Sequence, residues 1–164
     1  MDPHHHRALD RRAETAQLAL ERPDSADAIA LVTELEAHLA SRYPAESRHG
    51  YSVEKLIREG VVFFVARVDG AAAACGGVQI YGEEYAELKR MYVRPQWRRL
   101  GLGKRLLDQL AAHARSRGVS LLRLETGIHQ AEAIGLYERF GFRRRPAFGA
   151  YREDPLSLYF EKRI

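Results

Sequence analysis

The segment MYVRPQWRRLGLGKRLL, residues 91–107, decides how the rest of the chain is read. An apolar strand ends at Val93, a basic loop follows, and a helix begins whose Leu102, Leu106, Leu107, Leu110 and Ala114 recur at helical spacing. Arg98, Gly101 and Gly103 stand in R-x-x-G-x-G order. Glycines let backbone come close to a ligand, and a helix N-terminus presents unpaired N–H groups with partial positive charge. Together they make an anion site, most naturally for phosphate. Arg94, Arg98, Arg99 and Lys104 surround it with full charges. A Walker loop is excluded, because Arg98 stands where its first glycine belongs and Arg105 where Ser or Thr must hold magnesium. A dinucleotide fingerprint is excluded because Leu106 replaces its third glycine.

Working outward, Ala16 to Glu21 reads as a short strand, and Pro23-Asp24-Ser25 stops it and caps a helix. Ile29, Val32, Leu35 and Leu39 form that helix's inward stripe, and Tyr43-Pro44 ends it. Ala45 to Ser52 is a polar loop. A second short helix turns Val53, Leu56 and Ile57 inward and stops at Gly60. Three antiparallel strands follow: one over Val61 to Ala66, one over Ala71 to Tyr81 after an Asp69-Gly70 turn, and one over Tyr85 to Val93. Beyond the long helix, which ends at Gly118, come a strand over Ser120 to Thr126 and a helix carrying Ala133, Leu136, Tyr137 and Phe140. A strand opening at Phe142 and a last strand over Leu156 to Ile164 complete an α+β domain. Its order is β-α-α-β-β-β-α-β-α-β-β.

The chain has 164 residues, 46% of them hydrophobic and 29% charged, which suits one globular domain and excludes wholesale disorder. No apolar run approaches the ~18 residues of a membrane span. The balance of 26 basic and 22 acidic side chains gives +4, which is mild. The Arg143-Arg144-Arg145 run reads as a solvated strand edge, so neither nucleic acid nor a membrane is expected as a partner. The lone Cys75 forms no internal disulfide or zinc cluster, and no metal is expected. It reads as a small buried strand residue. The leader, residues 1–15, lacks the apolar core of a signal peptide, so a cytoplasmic protein is the default. That leader, with its His4-His5-His6 run, is expected to be disordered, and the domain to span residues 16–164.

Strand AELKRMYV (86–93), loop RRLGLG (98–103), the leucine-rich helix and the block AEAIGLYERFGF (131–142) occur in one order. In that order the chain resembles the GNAT superfamily of acetyl-CoA-dependent N-acetyltransferases, closely over its last half. The resemblance implies a mixed, mostly antiparallel sheet that splays where coenzyme A binds. Arg98, Arg99, Leu100, Gly101, Leu102 and Gly103, with Lys104 behind, would hold the pyrophosphate. Backbone groups of Met91, Tyr92 and Val93 would line the pantetheine arm, and an N–H near Met91 would polarise the thioester carbonyl. Ala133, Leu136 and Tyr137 match the family's N-x-x-A-x-x-L-Y block, with Gln130 in the asparagine place as a cofactor contact.

Amine acetylation also needs a proton removed from the amine and one delivered to the departing thiolate. The resemblance gives the second role to Tyr137, which also fits a buried helix face. It gives the first to Glu87, which by period two shares a face with Lys89, Met91 and Val93. A pairing of Glu87 with Lys89 on a solvated face, a water relay, Glu125 and His129 are the alternatives. Phe148, Tyr151 and Asp154-Pro155 form an aromatic loop that either borders a substrate cleft or packs on itself. The expected function is acetyl transfer from acetyl-CoA to a primary amine of a small molecule, with a homodimer left open. The alternatives are a protein or peptide N-acetyltransferase and a noncatalytic acyl-CoA-binding module.

Overall fold

The computed structural model of the chain describes residues 3–164. In chain order its elements are α1 (Pro3–Glu14), β1 (Gln17–Leu20), α2 (Ala26–Ala40), α3 (Val53–Arg58), β2 (Val62–Val68), β3 (Ala71–Tyr81) and β4 (Tyr85–Val93). After these come α4 (Leu102–Ser116), β5 (Leu121–Gly127), α5 (Ala131–Phe140), β6 (Arg143–Arg145) and β7 (Ser157–Arg163). The strands form one sheet in the order β1-β2-β3-β4-β5-β7-β6. All neighbours are antiparallel except β4 and β5, which run parallel. The α+β class and the splayed sheet are as expected from the sequence.

Serine caps start the two early helices. Ser25 accepts from the Ala28 N–H at 3.1 Å, and Ser52 accepts from the Lys55 N–H at 3.2 Å. The stripe that α2 buries is Ala28, Leu31, Val32 and Leu35, against Phe63, Val65 and Cys75 of the sheet. Ile29 and Ile57, expected inward, stay 43% and 40% exposed. On the other face, α4 buries Leu102, Leu106, Leu107 and Leu110 at 1% exposure or less, against Ala74, Val78, Leu88 and Leu124. Each such leucine contributes roughly 1.5–3 kcal/mol by leaving water. No helix among the described residues is long and apolar enough to cross a membrane.

Within the leader, expected to be disordered, Pro3–Glu14 form α1, and residues 1–2 lie outside the described residues. In α1, Ala13 is buried, as is Ala16 just beyond it, and the Ala13 carbonyl accepts from Arg105 of α4 at 3.3 Å. Arg12 pairs with Asp69 at 2.6 Å and lies over the Trp97 ring. This helix gave no apolar stripe because its contact residues are alanines. Alanine favours helix strongly but contributes little hydrophobic pattern.

Leu106→Ala should lower stability by about 2–5 kcal/mol, since a leucine with no exposure leaves a cavity between α4 and the sheet. Urea unfolding of the two proteins measures the difference.

Candidate active site

The parallel pairing of β4 with β5 lasts two residues, Ala86 with Leu122 and Glu87 with Arg123. Beyond Glu87 the strands part, and one edge of β4 faces a gap. The cause lies in β4 itself. Where β3 steps from Cys75 to Gly77, β4 steps from Tyr92 to Lys89, so β4 carries one extra residue. Arg90, inside that bulge, has φ +55, which for a non-glycine residue costs roughly 1–3 kcal/mol. The Arg90 side chain holds the distortion, donating from Nε to the Tyr51 carbonyl at 2.8 Å and from Nη2 to Glu36 at 2.7 Å. The Cys75 thiol donates to the Arg90 carbonyl at 3.4 Å. Burial pushes that thiol up to about 12, so Cys75 is a protonated structural residue.

The bulge also changes which side chains share a face. Leu88, Met91 and Val93 meet the α4 side, while Tyr92 joins the α2 side and Glu87 meets Tyr151. The expectation that Glu87, Lys89, Met91 and Val93 line one face is therefore corrected. An extra residue inverts the period-two alternation downstream of it.

The gap is a cavity of about 110 Å³ that passes between the strands. Leu88, Leu124, Ala133 and Tyr137 bound it on the α4 and α5 side, and Glu87, Glu125 and Tyr151 on the other. Glu87 is 2% exposed and fully engaged: its Oε2 lies 2.7 Å from Lys89 Nζ and accepts from the Tyr151 hydroxyl at 2.6 Å. The pairing with Lys89 is present, but in the interior rather than on a solvated face. Lys89 also sits 4.0 Å from the centre of the Tyr51 ring. Burial and the Glu87 charge raise the Tyr151 phenol, which stays protonated as a donor.

Glu125 is the carboxylate left without a close cation. Burial first, then the charges of Glu87 and Asp154, push it up to about 7, against the pull of the nearby Ser157 hydroxyl and the Lys89 ammonium. Across the gap, Tyr137 is 5% exposed, and burial followed by the Glu125 charge holds its phenol above the usual value. His129 lies outside the cavity wall and stacks on Tyr43 with centroids 5.4 Å apart.

The R-x-x-G-x-G loop joins β4 to α4 at the same end of the gap. Gly101 caps α4 at φ +84, and a Cβ there would meet nothing within 4 Å. No side chain caps this helix, so its first N–H groups stand unpaired at an open surface. Arg99 and Lys104 are exposed, leaning toward Glu132 at 3.6 Å and Asp108 at 3.1 Å. Arg98 folds back to the Val93 carbonyl at 2.9 Å. Leu102 is a core residue, and Leu100 packs against the same core. Gly103 differs from Gly101: a Cβ there would lie 2.6 Å from Leu136, so this glycine lets α4 and α5 approach. Gln130 precedes α5 without capping it, and its Oε1 accepts from the Tyr43 hydroxyl at 3.3 Å. Tyr43 in turn accepts from the His129 N–H at 2.8 Å.

The polar loop after α2 supplies a wall that the sequence did not single out: Tyr43, Ser47, Arg48, His49 and Gly50. Tyr151 closes the same side, while Phe148 packs on Tyr85 and Tyr159, so the aromatic loop both borders the cleft and packs on itself. Arg143 and Arg144 lie exposed at the sheet edge.

A splayed parallel pair with a glycine-capped helix at its mouth is the architecture of an acyl-CoA-dependent transferase. The model of the Acetyltransferase (GNAT) family matches residues 28–142, and the chain belongs to that family. It is an acyltransferase with N-acetyltransferase activity. An IAA acetyltransferase of Azospirillum brasilense is 42% identical over 146 residues, 88% of this chain and 95% of the relative. The crystal structure of a Klebsiella pneumoniae protein described as an acyl-CoA N-acyltransferase superposes with TM-score 0.77 at 37% identity, covering 91% of this chain and 97% of that one. The PaiA N-acetyltransferase of Thermoplasma acidophilum, crystallised with coenzyme A, shares the fold at 22% identity and TM-score 0.70, over 90% of this chain and 99% of that one.

Because Glu125 holds its proton more tightly folded than unfolded, its contribution to stability is full below the ordinary carboxylate range and is lost as pH rises through about 7. Glu125→Gln should therefore flatten the fall in stability between about pH 4.5 and 7, measured by urea unfolding across pH. Carboxyl ¹³C shifts of the parent should show one glutamate titrating near 7.

Proposed function

We propose that this enzyme moves an acetyl group from acetyl-CoA to the primary amine of a small molecule, by direct attack of the amine on the thioester. The observation that carries the reading is the cavity through the sheet, which has Tyr137 on one side and Glu125 on the other. Its modest volume and the wall that the loop after α2 adds favour a small acceptor over a polypeptide.

The residues at the loop fit a coenzyme. The open left-handed Gly101 and the uncapped N-terminus of α4 suit a pyrophosphate, with Arg99 and Lys104 adding charge. The unpaired edge of Met91, Tyr92 and Val93 offers N–H and C=O groups to an extended amide chain, and one N–H near Met91 serves as an oxyanion donor. Bound there, acetyl-CoA supplies an activated acyl group. Gly103 acts through helix packing, and Gln130, held by Tyr43, orders the turn into α5.

Glu125 takes a proton from the incoming ammonium, its raised affinity matching that task near neutral pH. The amine nitrogen forms the new N–C bond as the C–S bond breaks. Tyr137, kept protonated by burial, gives its proton to the sulfur, and the nitrogen's second proton restores it. Glu87, expected from the sequence to be the base, acts as a positioning residue. Locked to Lys89 and Tyr151, it keeps the negative field that raises Glu125.

Tyr137→Phe should lower turnover ~10²-fold with coenzyme affinity nearly unchanged, by steady-state thiol release and calorimetry. Gly101→Val should weaken coenzyme binding at least about tenfold, ~1.4 kcal/mol. In the parent, kcat/KM should rise with pH and level off above about 7. Glu87→Gln should move that limb to lower pH, whereas Glu125→Gln should abolish it. An abolished limb in Glu87→Gln would return the base role to Glu87.

A further inference from the structure

The acceptor end of the cavity gathers two guanidinium groups on one carboxylate. Arg48 and Arg90 both reach one partner, Glu36: Arg48 Nη1 lies 3.1 Å from Oε1, and Arg90 Nη2 lies 2.7 Å from Oε2. Two guanidinium groups therefore share a single carboxylate. Three buried nitrogens in this wall, Arg48 Nε, Arg90 Nη1 and His49 Nε2, have no hydrogen-bond partner among the described residues. The Arg90 side chain is 4% exposed. Buried donors on a charged group are strongly disfavoured unless something completes them.

The remaining charges around the cavity do not fill that need. Asp154 is turned to its own partners, accepting from the Leu156 N–H at 2.8 Å and the Ser47 hydroxyl at 2.9 Å, and it stays 3.9 Å from His49 Nε2. Glu87 is taken by Lys89 and Tyr151. Glu125 lies on β5, the strand across the gap from β4. The cavity wall thus brings together the guanidinium groups of Arg48 and Arg90, the Glu87–Lys89 pair and Glu125.

We infer that the acceptor is a small amino acid or similar aminocarboxylate. Its carboxylate is held by Arg48 and Arg90, with the His49 imidazole beside them, while its ammonium faces Glu125. This rests on the transferase reading above and narrows its acceptor. A planar carboxylate presents two oxygens to guanidinium donors. A neutral amine with an amide or hydrogen in that place leaves the same donors unpaired. Sites built this way reject the analogue lacking the group by large factors.

The test is a set of the common amino acids, each paired with its carboxamide and its decarboxylated amine, assayed with acetyl-CoA by thiol release. The expected result is kcat/KM at least ~30-fold higher for the acid than for its amide, for every side chain that is accepted. Arg48→Gln should bring that ratio toward one, with the calorimetric affinity for acetyl-CoA unchanged. Arg48→Lys, which keeps the charge, should retain part of the preference. Amides or plain amines acetylated as well as the acids, or a preference undiminished in Arg48→Gln, would overturn the assignment. Acetyl-CoA binding without transfer to any member of the set would overturn it too, leaving the coenzyme site standing. Absence of acetyl-CoA binding would instead remove the transferase reading itself, and this inference with it.

Discussion

The separation of β4 from β5 is the constraint on which the site depends. Two parallel strands in one sheet ordinarily pair along their shared length, and unpaired backbone in an interior is unfavourable. Here pairing stops after Glu87 and Arg123, because the bulge at Arg90 turns β4 away. The strain at Arg90 persists because its guanidinium is anchored on Tyr51 and Glu36, residues of the loop before α3 and of α2. Helix α2, the loop after it and the bulge therefore act as one unit. Through the opening they hold apart, the two faces of the sheet share a single cavity.

The bulge also sorts the chemistry. By inverting the alternation it sends Met91 and Val93 to the α4 side and leaves Glu87 and Lys89 on the other. The side toward α4 is then apolar, with backbone edges and a helix N-terminus suited to an acyl thioester and its phosphates. The opposite side collects the ionisable groups. Among these, Lys89 neutralises Glu87, and the uncompensated Glu125 rises to about 7. A carboxylate tuned this way needs no special residue, only burial beside a negative charge that is already spoken for.

Much of this was legible in the residues. Strands, helices and their order followed from periodicity and from Ser, Pro and Gly punctuation, and the RRLGLG loop stood out as a candidate anion site. The misreadings have physical causes. Helix α1 docks through alanines, which leave no pattern. The faces of β4 were assigned by strict period two, which a single bulged residue breaks. Gly101 and Gly103 look alike in sequence, yet one keeps a left-handed cap open and the other lets Leu136 approach. Glu87 and Glu125 are both strand glutamates, and only the placement of Lys89 and Tyr151 separates the engaged one from the tuned one.

The sequence by itself determined the class of fold and the family. These rest on local pattern: hydrophobic period, glycine at a helix start, and motifs in a fixed order. Tertiary structure alone decided how the cavity is walled and charged. Arg48, His49 and Arg90 meet Glu36, Tyr51 and Asp154 through contacts between segments distant in the chain, and no periodic or motif signal foretells those contacts. Burial and charge balance are properties of such neighbourhoods. A carboxyl's proton affinity, or a guanidinium's missing partner, exists only once the strands have parted and the loop has closed over them.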